Sequence, residues 1–141
     1  MRKILLSAVV GLLAVGMFSS VASAHGQFMK AMKAKYEFRT VSCYTCHAKG
    51  ENPKTGERYG KEVRNDFGKL FMPHLKGKDI DARVAKAKET EDEAEKEKLD
   101  EAITNDFLEA LEKVEVMKAD DGKTYAEKLK AGEIEGVKLP E

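Results

Sequence analysis

Residues 43–47 read Cys-Tyr-Thr-Cys-His, and they are where residue type and spacing in this chain carry chemistry. Cys43 and Cys46 lie about one helical turn apart, and His47 follows the second thiol directly. Two thiols at that separation can each add to a vinyl group of a haem, forming two thioethers. The imidazole next to them is then carried under the iron as its proximal ligand. Cys-x-x-Cys-His is accordingly the attachment signature of a single covalent haem c, held by Cys43 and Cys46 and ligated by His47.

Other chemistries use the same thiols. A structural disulfide between Cys43 and Cys46 is compatible with an exported chain. A thioredoxin-like redox pair belongs beside a βαβ pattern, which the sequence lacks. A zinc site needs two further ligands, and the only other histidines are His25 and His74. The appended His47 and the absence of any third cysteine favour haem.

A haem iron takes a second axial ligand, either a thioether, which raises its potential, or an imidazole, which lowers it. Met72 and His74, on either side of Pro73, are the first candidates, and His25 is the third. Met29, Met32 and Met117 fit better as fillers of an apolar helix face. Tyr59, Phe67 and Phe71 suit the wall of a haem pocket or an ordinary helix core equally well. The choice among Met72, His74 and His25 stays open from sequence.

Arg2 and Lys3 precede an uncharged apolar run, Ile4–Phe18, and then Ala22-Ser23-Ala24. A basic start, a short apolar stretch and a small-x-small site predict a secretory signal peptide over 1–24, cut after Ala24, and a periplasmic protein. The run is shorter than the ~20 residues of a spanning helix, so the mature chain is expected not to cross a membrane. Lys+Arg and Asp+Glu both number 25, which excludes a strongly basic nucleic-acid binder. The charge is unevenly placed: residues 25–78 hold 12 basic and 5 acidic side chains, and residues 79–141 hold 11 and 20. The basic part can dock an acidic redox partner, or pair with the acidic part of its own chain.

The elements that must position the motif are all helical. Apolar residues at Phe28, Met29, Met32 and Tyr36 predict a helix before it. Gly50, Asn52, Pro53 and Gly56 mark a loop after it. Tyr59, Val63, Phe67, Leu70 and Phe71 predict a second helix, stopped at Pro73. A short helix is expected over 79–88. Thr90 with Glu93 fits a capping box for the next, whose apolar stripe runs from Leu99 through Ile103, Phe107, Leu111 and Val114 to Met117. Thr124 with Glu127 fits a second capping box, opening a helix ended by Gly132, and residues 133–141 read as extended or frayed. No alternating strand is visible. The expected fold is all-α, with a haem-binding segment over 25–78 and a charged helical extension over 79–141 packed on the same domain.

On these residues the chain resembles the small exported bacterial monohaem c-type cytochromes. Cys43-Tyr44-Thr45-Cys46-His47 carries the likeness. Tyr59-Gly60-Lys61, the Lys/Glu-rich helix and Asp121-Gly122-Lys123-Thr124-Tyr125 add a looser one to members with a long helical tail. Arg39 departs from the common pattern, standing where an aromatic residue is usual before the first cysteine. The resemblance implies thioethers at Cys43 and Cys46, iron ligation at His47, and electron transfer between redox proteins by Fe(II)/Fe(III) cycling, without catalysis. A gas-ligand binder with an open sixth position and an accessory haem subunit of a larger complex are the alternatives.

Overall fold

The central element is a 23-residue helix, α4 (Glu93–Glu115), which buries Ile103, Phe107, Ala110, Leu111 and Val114 along one stripe. That spacing is the 3.6-residue period of a helix with one apolar face. The computed structural model describes residues 24–60 and 62–141. The expected signal peptide falls outside the described residues up to residue 23, and Ala24 opens α1 (Ala24–Tyr36). Against α4 pack α1, α2 (Asp66–Leu75), α3 (Ile80–Glu89) and α5 (Tyr125–Lys130). The fold is all-α; among the described residues the sole sheet is a pair of two-residue strands.

Aromatic rings tie the helices together. Phe28 of α1 stacks on Phe107 of α4 with centroids 4.1 Å apart, and Phe71 of α2 stacks on Phe107 at 5.2 Å. Phe67 meets Phe71 edge-on at 5.2 Å and Tyr125 of α5 at 5.5 Å. Residues from both halves of the chain thus share one apolar core. Ion pairs join them as well: Lys35 to Glu115 at 2.8 Å, Lys78 to Asp106 at 2.7 Å, and Arg39 to Glu141. Part of the basic surplus is therefore answered within the chain.

Several boundaries differ from the sequence reading. α2 begins at Asp66, after Asn65 as N-cap, so Tyr59 and Val63 belong to the preceding loop. Pro73 does not stop it; the helix runs on to Leu75. Lys69 and Pro73 both lie on the exposed side, where water can serve the Lys69 carbonyl that proline leaves without an N–H. Asp92, not Thr90, caps α4, accepting from the N–H groups of Ala94 (2.9 Å) and Glu95 (3.2 Å). The Thr124–Glu127 capping box of α5 is present with both reciprocal bonds.

Of the two readings of residues 133–141, extended or frayed, the extended one holds at 137–138. Residues Val137–Lys138 form β2, antiparallel to β1 (Thr40–Val41), with Ile134 and Val137 buried. This places the C-terminus directly on the stretch leading into Cys43.

Candidate functional site

Cys43–Thr45 form a single 3-10 turn. The Cys43 carbonyl accepts from the Cys46 N–H at 3.3 Å and from the His47 N–H at 3.0 Å, which draws the motif into one tight loop. Cys43 and Cys46 are both free thiols, the first exposed and the second half-buried. Burial pushes the Cys46 thiol up to about 11, against the opposing pull of the Arg64 guanidinium and with a smaller push from Cys43. A thiol so held stays protonated at neutral pH, unlike the low-pKa nucleophile of a redox pair.

His47 is 7% exposed. Arg64 Nη1 lies 2.9 Å from its Nε2. A guanidinium has only donors, so in this contact Nε2 is the acceptor, and a metal at that nitrogen would take the place of Arg64.

Arg64 also lines a cleft of about 900 Å³, together with Phe28, Met72, Pro73, Leu75 and Ile80. The volume lies in the range of cofactor sites, and the wall is mostly apolar. A much smaller gap of about 20 Å³ lies between α1 and the motif turn, lined by Met29, Met32, Cys43, Cys46 and His47 among others. Phe28 borders both spaces. Tyr59, Phe67 and Phe71 line neither space; Phe67 and Phe71 belong to the aromatic core.

The axial candidates separate. Met72 is 52% exposed and lines the cleft. His74 is half-buried in the last turn of α2 and does not line it. Both sit in regular helix, which continues past the expected stop at Pro73. His25 is the second residue of α1, and its side chain lies outside the described residues. Met32 is buried in the core, as expected, and with Met29 it also borders the motif turn. Among the described residues no group of three or more His, Cys, Asp or Glu is placed to share a metal ion.

The turn is held from outside by residues that no motif marks. Asn65 Nδ2 donates to the carbonyls of Tyr44 at 2.8 Å and Thr45 at 3.1 Å. Its backbone N–H donates to the Cys46 carbonyl at 3.0 Å. Gly68 of α2 packs on that same carbonyl, where any Cβ would collide with the oxygen. Gly136 of the tail, at φ +80°, sits where a Cβ would come within 2.7 Å of the Thr45 nitrogen. The Ser42 N–H donates to the Gly136 carbonyl at 2.9 Å. Asn65 was within reach of sequence as an N-cap type before Asp66. The two glycines gave no signal, because close approach between distant segments leaves no local pattern.

No protein-family model, curated protein or solved structure matches the chain. Among the described residues no helix is long and apolar enough to cross a membrane.

Proposed function

We propose that the chain is an exported, periplasmic monohaem c-type cytochrome that carries electrons between redox proteins. The observation that supports this best is the Cys43-x-x-Cys46-His47 turn itself, with both thiols free and the His47 side chain buried beside them. Cys43 and Cys46 would hold one haem c by thioethers, and His47 would ligate its iron. When bound, the haem supplies one-electron Fe(II)/Fe(III) exchange. The chain's part would be to keep the His47 imidazole buried and to leave Cys43 and Tyr44 at the surface as an exposed edge.

Met72, which lines the cleft with Arg64, would be the first candidate for second ligand, with His74 and His25 as the alternatives. Release of residues 1–24 as a signal peptide belongs to the same reading, because a covalently held cofactor suits an exported protein from which it cannot diffuse away.

The test is the absorption spectrum of the exported protein, oxidised and reduced, together with its mass. The mass expected is that of the chain from His25 plus one haem. A far-red methionine-to-iron band is the result expected with Met72 as ligand, and its loss in Met72→Ala with haem retained completes the assignment. A low-spin spectrum without that band moves the ligand to a histidine. A high-spin spectrum, with carbon monoxide binding to the reduced protein and displacing no residue, replaces the carrier with a gas-ligand binder. A chain without covalent haem ends the reading.

A further inference from the structure

Asn65 lies between the thiol turn and the helix that carries Met72, and its side chain bonds to both. Nδ2 donates to the Tyr44 and Thr45 carbonyls at 2.8 and 3.1 Å, inside the motif. Oδ1 accepts from the Gly68 N–H at 2.7 Å, capping α2. The backbone repeats the link: the Asn65 N–H donates to the Cys46 carbonyl, and the Lys69 N–H donates to the Asn65 carbonyl, each at 3.0 Å. One residue thereby joins Tyr44, Thr45 and Cys46 of the turn to Gly68 and Lys69 in the first turn of α2.

The two ends of the amide do different work. Capping needs only an acceptor, so serine, threonine and aspartate serve as well as asparagine. Reaching back to two carbonyls needs a donor with two hydrogens, which among short side chains only the asparagine amide supplies. The choice of asparagine is unexplained by capping alone and is explained by the tether.

We propose that Asn65 is a positioning residue that fixes the Cys43–His47 turn to the N-terminus of α2. It thereby sets the separation between His47 and the Met72 end of that helix. The first part concerns the chain itself; the second rests on the haem reading above.

Asn65→Asp and Asn65→Ser keep the acceptor that caps α2, but neither can reach both carbonyls as a donor; Asn65→Ala loses both functions. In the full chain expressed without haem, the rate of Cys46 alkylation reports opening of the turn. Amide exchange at Gly68 and Lys69 reports the cap. The expected result is that Cys46 labelling accelerates at least about tenfold in all three variants, through loss of the amide's hydrogen bonds to the Tyr44 and Thr45 carbonyls. Exchange at Gly68 and Lys69 stays near the wild-type rate in the Asp and Ser variants and rises only with Ala. Wild-type labelling in Asn65→Ser overturns the tether, and so does a parallel rise of labelling and exchange, which would mean general loosening. Serine carries no charge, so it decides the matter should aspartate fail to fold. In the exported, haem-loaded protein, Asn65→Ser is expected to shift the reduction potential, and an unchanged potential overturns the second part. Absence of haem from the exported wild-type chain defeats the haem reading while the labelling result stands.

Discussion

Around α4 the fold is held by side-chain volume: Ile103, Phe107, Leu111 and Val114 are fully buried, and rings from α1 and α2 stack on Phe107. Around Cys43–His47 it is held by main chain and by missing side chains. There the Asn65 amide, the close approach of Gly68 and the Gly136 strap replace a core. Volume tolerates exchange among apolar residues of similar size. Close backbone contacts tolerate almost none. The thiol turn is therefore the more exacting region per residue, although it contributes less to global stability.

Two substitutions separate these modes most sharply. Phe107→Ala removes the ring on which Phe28 and Phe71 stack and is expected to cost about 4 kcal/mol in a urea titration, lowering scaffold and site together. Gly68→Ala forces a methyl against the Cys46 carbonyl and is expected to cost about 2–3 kcal/mol. Its distinctive effect is local: Cys46 labelling rises further than the loss of global stability accounts for. Equal rises for the two variants at matched stability would remove the distinction between the regions.

A third variant probes how the two are joined. The Asp106 carboxyl of α4 is subject to burial, which raises its pKa. Bonds from Arg83 and Lys78 overcome this and hold it below the usual carboxylate range. With the folded value depressed, the stabilisation is complete above the unfolded value of about 4 and is lost as pH falls through the folded one. Asp106→Asn is expected to cost about 1.5 kcal/mol at pH 7. The gap from wild type should close on acidification below pH ~4, measured as urea midpoints at pH 7 and pH 3. A constant gap would mean that shape, not charge, ties Lys78 and the α2–α3 turn to α4.

The same contrast accounts for what was legible in the sequence. The α4 stripe was readable because burial along one helix imposes a local period, and the thiol–histidine motif because its chemistry demands adjacency. The α2 boundaries were not. Tyr59 and Val63 continue the apolar spacing, yet Asn65 caps a helix that starts later, while Pro73 falls where its missing N–H faces solvent. The β1–β2 pairing could not be read from two-residue strands, whose partners lie nearly a hundred residues apart. Gly136 looked like a tail residue. Its role depends on Thr45 arriving from elsewhere in the chain.

The smallest effect is expected where the scaffold is farthest from the motif in construction. Thr124 accepts from the Glu127 N–H at 3.2 Å, and Glu127 returns the bond to the Thr124 N–H at 2.7 Å. This closes the first turn of a six-residue helix whose Leu129 is fully buried. So short a helix has little stability of its own, so the cap acts by presenting Leu129 to α4. Thr124→Ala is expected to cost about 1 kcal/mol, and Thr124→Ser almost nothing, since the acceptor is kept. Neither should change Cys46 labelling beyond the shift in global stability. α5 does touch the aromatic chain, through Tyr125 on Phe67. A selective rise in Cys46 labelling in Thr124→Ala would therefore show that the turn draws on the scaffold through Phe67 and Gly68 of α2, and the two regions would then have to be treated as one cooperative unit.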